Sequence, residues 1–221
     1  MSWVADNLGL VLQLTGEHLR QSLPPILWGL LIALPLGWLA HRSRVLRGPI
    51  VVTTGLLYTL PSLALLPILP VVFGFSALSE INLVVALTIY AVAILVRSVA
   101  DGLDSVDGDT RRAAVALGYG PVRRFAAVEL PLAGPVILAG LRVAAVSTVS
   151  LATVGVLIGV TNLGYLFTNG FQRRIVAEIL AGVVAVALVA LLVDLLLQLA
   201  GRLLLPWTRA AAPARRRRAA A

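Results

Sequence analysis

Apolar residues in this chain fall in long, nearly unbroken runs, and the polar residues gather in the links between them. Five runs reach the roughly 20 residues that a helix needs to cross a hydrocarbon core of about 30 Å. They cover approximately residues 22–40, 50–73, 81–100, 142–160 and 178–200. Backbone in hydrocarbon must satisfy its own hydrogen bonds, so runs of Leu, Val and Ala predict helices. Barrel strands would instead alternate polar and apolar positions. The expected fold is therefore all-α and integral to a membrane, with five transmembrane helices. Residues 5–20 mix polar and apolar positions and predict an amphipathic segment on the outer surface. They lack a basic start, a short apolar core and a small-residue cleavage site, so the first apolar stretch is expected to be a retained span.

The links set the orientation. Arg42, Arg44 and Arg47 follow the first span, and the link after the second, around 75–80, has no basic residue. Arg97, Arg111, Arg112, Arg123, Arg124 and Arg142 lie between the third and fourth. Arg202, Arg209 and Arg215 to Arg218 follow the fifth. Of the 18 basic residues, only Arg20, Arg173 and Arg174 fall on the opposite side. Basic residues favour the cytoplasmic side, so the N-terminus is expected outside and the C-terminus inside. The polar stretch 161–177 then lies outside, either as a solvated connector or as an entrance or contact surface. The domain reading is one membrane domain over 1–208, followed by an Arg-rich tail over 209–221 that is expected to be disordered.

Composition closes off other classes. Only 13% of residues are charged and 59% are hydrophobic, against about 25% charged in ordinary soluble domains. Too few charges remain to cover a soluble globule. The net charge of +8 comes from arginines placed between spans, which membrane orientation explains without nucleic acid. Cysteine is absent, which excludes disulfides and thiolate chemistry. His18 and His41 are too far apart in sequence to suggest a metal cluster, so no catalytic or metal residue is assigned. An intramembrane enzyme would need paired catalytic groups at membrane depth. Asp194 is the only acid well inside an apolar run. It reads as an interfacial side chain or as the partner of Arg142, with Arg97 and Arg142 marking the cytoplasmic boundary.

The link of about forty residues between the third and fourth spans, roughly 101–131, has structure of its own. Asp107 suits a helix N-cap, and Asp109 favours the first turn. The Ala-rich run Thr110–Leu117 has good helix propensity, and Gly118, Gly120 and Pro121 punctuate its end. A second stretch, 122–130, is expected to stop at Pro131. Within this link, Ala113-Ala114, three residues, Gly118, nine residues and Val128-Glu129-Leu130-Pro131 resemble the cytoplasmic-loop motif of ABC importer permeases. Every gap matches. Arg112 stands where the family has glutamate, which reverses the charge there.

That resemblance implies a type I ABC importer permease fold with a coupling-helix loop. It implies that Arg111, Arg112, Ala113, Ala114, Gly118, Gly120, Leu130 and Pro131 contact an ABC ATPase subunit. ATP and magnesium would belong to that partner. This chain has no lysine and so cannot carry a phosphate-binding Gly-Lys loop. The implied assembly adds a second permease copy or close paralogue and an extracytoplasmic solute-binding protein, in the lipid of a prokaryotic cell membrane.

Tyr58 to Leu66, Gly102 to Asp107, Glu129 to Arg142 and Ile158 to Leu166 are similar to the glycine betaine, carnitine and choline permeases. Methionine-type permeases share parts of the pattern and give the alternative cargo. Thr161 and Asn162 replace small residues of the family and are expected to alter the outer vestibule. Thr54, Tyr58, Thr59 and Ser62 in the second span, with Ser147, Thr148 and Ser150 in the fourth, either line a translocation path or bond neighbouring helices. Pro61 is expected to open a kink.

Overall fold

The computed structural model describes residues 2–207, all helix and short connection. The Arg-rich tail read from the sequence lies outside the described residues. The elements are α1 (Ser2–Asp6), α2 (Leu8–Arg42), α3 (Arg44–Thr59), α4 (Ser62–Phe73), α5 (Glu80–Asp104), α6 (Gly108–Ala116), α7 (Pro121–Arg124), a π turn (Phe125–Glu129), α8 (Leu130–Ala152), a 3-10 segment (Thr153–Ile158), α9 (Gly164–Arg173) and α10 (Val176–Leu204). Among the described residues four helices are long and apolar enough to cross a membrane, and a fifth span is reached if the bent pair α3–α4 counts as one.

α5 is the axis of the bundle. It buries residues around its whole circumference, among them Leu83, Leu87, Ala91, Leu95, Val96, Val99 and Leu103. α10 instead leaves Leu188, Leu191, Leu192, Leu195 and Leu199 exposed, as a lipid-facing helix should. α2 lies against α5 through two glycines. A Cβ on Gly29 would stand 2.5 Å from the Cβ of Ala91, and one on Gly37 would stand 2.5 Å from Cγ1 of Val99. α8 reaches the other side of α5 in the same way. A Cβ on Gly140 would fall 2.2 Å from the hydroxyl of Ser98. Small residues let membrane helices approach closely, and dispersion then replaces the hydrophobic drive that lipid does not supply.

Three expectations change. The N-terminal segment is no separate surface helix. It joins the first span as one helix of 35 residues, and Leu14, His18, Gln21 and Ser22 are buried. The second span is broken: α3 and α4 meet at 112°. Pro61 has no N–H for the Leu57 carbonyl, which accepts a long 3.4 Å bond from the Leu60 N–H. The Tyr90 hydroxyl, reaching from α5, donates to the Leu60 carbonyl.

The chain also does not stop at Pro131. Helix continues from Pro121 to Ile158 over 38 residues, so the fourth span starts well before residue 142. The π turn explains this. The Leu130 N–H reaches back five residues to the Phe125 carbonyl. The widened turn makes room where the Pro131 ring would otherwise meet the carbonyl four residues earlier.

Gly37→Val should overpack the α2–α5 contact and destabilise the bundle by about 1–3 kcal/mol. Gly16→Ala, with open space around its Cβ, should be neutral or stabilising. Thermal unfolding of the two variants in detergent separates the cases.

Candidate functional site

The loop between α5 and α8 folds as the sequence implies. The Asp107 side chain accepts from the Asp109 and Thr110 N–H groups at 2.8 and 3.1 Å, capping α6. The helix ends at Gly118, whose φ of +81° places it in the left-handed region that side chains disfavour. Arg111 turns back toward α5. Its Nη2 donates to the carbonyls of Val106 at 2.6 Å, Leu103 at 3.0 Å and Asp104 at 3.3 Å. These are carbonyls that the end of a helix leaves open. One side chain thus fixes the loop to the span above it.

The eight loop residues singled out in the sequence do not share one surface. Ala114 is buried beneath α6, and Arg111, Leu130 and Pro131 are half-buried. Arg112, Ala113, Gly118 and Gly120 are exposed. Arg112 pairs with Asp109 of its own helix. Beside them Val115, Leu117 and Val122 are exposed at 52, 76 and 68%. Among the described residues nothing covers this apolar patch at the foot of the bundle. Glu129, in the π turn, is buried and accepts from Arg124 Nε at 2.7 Å.

The seven path residues divide. Thr54 and Thr148 are buried, and the Thr54 hydroxyl donates back to the Ile50 carbonyl at 2.8 Å. Tyr58, Thr59 and Ser150 are exposed, while Ser62 and Ser147 are half-buried. Thr59 closes the end of α3 by donating to the Leu56 carbonyl at 2.8 Å. Tyr58 stands edge-on to Tyr90 at 6.4 Å. α3 packs on α5 and α2.

Ser147 faces a cavity shared with Arg142 and Asp194. The Arg142 guanidinium meets the Asp194 carboxylate twice, Nε to Oδ1 and Nη2 to Oδ2, each at 2.7 Å. This is the pair that the sequence reading offered for Asp194. Arg142 sits 12 residues into α8 with its charge matched across to α10. Such a fork geometry suits a pair that must share a low-dielectric setting.

Sequence reasoning missed a polar clamp at the other end. His18 Nε2 donates to the Val149 carbonyl at 2.9 Å, and Gln21 Nε2 to the Thr161 carbonyl at 3.0 Å. Asn162 Nδ2 donates to Gln21 Oε1 at 2.9 Å and to the Ala152 carbonyl at 2.8 Å, while its Oδ1 accepts from the Gly164 N–H. Asn162 is fully buried, so it builds the turn after α8 rather than altering an outer vestibule. The signal was available: His18, Gln21 and Ser22 stand three or four apart, one polar stripe on one helix face. The stretch 161–177 also proves to be ordered, with Gly164, Leu166 and Gly170 of α9 buried.

A family model for binding-protein-dependent transport system inner membrane components matches residues 26–210. The chain is 32% identical over 206 residues to the choline transport system permease protein OpuBB of Bacillus subtilis, covering 93% of this chain and 94% of that one. It is 30% identical over 197 residues to the osmoprotectant import permease protein OsmW of Salmonella typhimurium, covering 88% and 92%. In three dimensions it resembles a chain of the inward-facing MetNI methionine ABC transporter, with a TM-score of 0.81 at 20% identity, covering 90% and 98%. An amino acid ABC transporter gives 0.67 at 19% identity, covering 93% and 96%.

Asp194→Arg should leave two guanidiniums facing each other and lower the yield of folded protein in membranes. Adding Arg142→Asp restores the pair in reverse and should restore the yield, as read by fluorescence-detected size exclusion. Equal yields for the single and double variants would show the pair to be dispensable.

Proposed function

The chain belongs to the binding-protein-dependent transport system inner membrane component family, the membrane-spanning permease subunits of ABC importers, and we propose that its cargo is an osmoprotectant of the glycine betaine, choline or carnitine type. One observation carries this reading. Relatives named for choline and osmoprotectant transport match it at 30–32% identity over about nine-tenths of their length. The methionine transporter shares the fold at 20% identity, which says nothing of cargo.

The chemistry of the chain suits a conduit more than a receptor. A quaternary ammonium is held tightly by a cage of aromatic faces, and here only Tyr58 and Tyr90 pair near the helix break. A separate binding protein outside the membrane would select the solute and deliver it. Tyr58, Thr59 and Ser150 would then offer a weakly polar path. On α4, Leu63, Ile68, Val71 and Val72 are exposed, and a second permease copy or close paralogue would complete the path there. The arginine-rich end would face the cytoplasm, with the N-terminus outside.

The loop from α6 to α7 would dock into the ATPase subunit through Ala113, Val115, Leu117 and Val122. ATP and magnesium would be bound there, and hydrolysis would occur there. ATP binding would bias the spans between inward and outward openings by population shift. Arg112, in the family's glutamate position, calls for an acidic residue on that ATPase.

The test is uptake of labelled glycine betaine, choline and carnitine in cells lacking their own osmoprotectant transporters. The cells express this chain with its neighbouring ATPase and binding-protein genes. Uptake that requires this chain supports the cargo. Uptake of methionine alone would keep the permease and overturn the cargo. Gly118→Val should strain the end of α6 by about 1–2 kcal/mol and lower both uptake and co-purification of the ATPase. Unchanged values for both would remove the coupling role. Orientation is read separately, because the chain has no native cysteine. An impermeant maleimide should label Gln172→Cys in spheroplasts and Ala116→Cys only after permeabilisation.

A further inference from the structure

At the arginine-rich end, α2, α3 and α5 and the start of the α7–α8 helix enclose a cavity of about 400 Å³. Arg42, Arg44, Arg47, Arg111 and Arg124 line it, against two carboxylates, Asp104 and Glu129. Both carboxylates are already engaged. Asp104 accepts from His41 Nδ1 at 2.6 Å and from Arg47 Nη1 at 2.5 Å, and Glu129 is taken by Arg124. Arg111 spends its Nη2 on carbonyls, and its Nε is buried without a partner. Arg42 lies over the Trp38 ring at 5.5 Å. Among the described residues neither Arg42 nor Arg44 meets an acidic partner. The cavity is thus left with positive charge that the chain does not neutralise. Walls of low dielectric strengthen its pull on an anion.

We propose that this cavity binds the phosphate group of an anionic phospholipid. Guanidinium forks match phosphate oxygens, and basic pockets between spans are a recurring form of headgroup site. What favours a lipid over free phosphate is the surface beside the arginines. Val45, Val52 and Leu56 lie on one face of α3 and are exposed at 82, 60 and 62%. This face leads from the cavity into the membrane. A headgroup held by Arg44 and Arg42 would leave its acyl chain on that face. Trp38, packed on Phe125 at 5.4 Å between ring centroids, lines the cavity. Inorganic phosphate would use the arginines and have no use for the apolar face. An acidic segment of the ATPase would enter from the loop side and would need that subunit to be present. The site is independent of which solute crosses the membrane.

The test uses the full chain alone, purified and placed in phosphatidylcholine bilayers. Trp3, Trp28 and Trp207 are changed to Phe, so that Trp38 is the only one of the four tryptophans left. Phosphatidylglycerol brominated on its acyl chains is added as a minor component and compared with brominated phosphatidylcholine. Quenching of Trp38 should favour phosphatidylglycerol. Each of Arg42 and Arg44 should contribute about fivefold to that preference. Arg44→Gln should cut it by about that factor, and Arg42→Gln with Arg44→Gln should bring it near parity. Arg44→Gln breaks no ion pair and should melt with the parent, and the double variant gives up only the Arg42 contact with the Trp38 ring. Equal quenching by the two lipids in the parent chain overturns the proposal whatever the variants do. Survival of the preference in the double variant also overturns it. Loss of the preference on adding inorganic phosphate at constant ionic strength would assign the cavity to free phosphate and overturn the lipid.

Discussion

Everything in this bundle hangs on how closely α5 can be approached. Gly29 and Gly37 admit it on the side of α2, and Gly140 admits α8 on the other. Lipid is as apolar as leucine, so burying leucine gains little in a membrane. Contact at short range is what holds these helices together. α5 is therefore surrounded, and the other helices can leave much of their surface to lipid or to a partner.

The second constraint is that no polar group may be abandoned in hydrocarbon. The chain meets it by recruiting side chains from other elements wherever backbone order fails. Tyr90 serves the broken end of α3, Arg111 serves the end of α5, and Asn162 with Gln21 and His18 serves the end of α8. The break at Pro61 and the end of α8 thus coincide with contacts between distant parts of the sequence. The same rule places Arg142 and Asp194 opposite each other.

Long apolar runs, arginine-rich links and the Asp107-capped loop were legible because each is written in consecutive residues. The positions of helix ends were not. Pro131 reads locally as a stop, but a π turn accommodates it, and that widening depends on the helix on either side. Arg142 and Asp194 could be matched as charges within apolar runs although they lie 52 positions apart. Asn162 reads as a vestibule residue because its partner, Gln21, lies 141 positions away. The break at Pro61 was visible as a kink, though its angle depends on α5 and Tyr90. Among the path residues, the alternation of buried and exposed positions on α3 and α8 shows only once both helices have packed on α5.

The helical stretch from Pro121 to Ile158, with a π turn near one end and a 3-10 turn at the other, has a mechanical consequence. At about 1.5 Å per residue its 38 residues reach from the loop at one face of the membrane to the His18–Gln21–Asn162 clamp at the other. The close approach of Gly140 to Ser98 falls near its midpoint. A rod pinned at its centre is a lever with equal arms. A sideways displacement at the loop would carry to the far end with similar size and opposite direction.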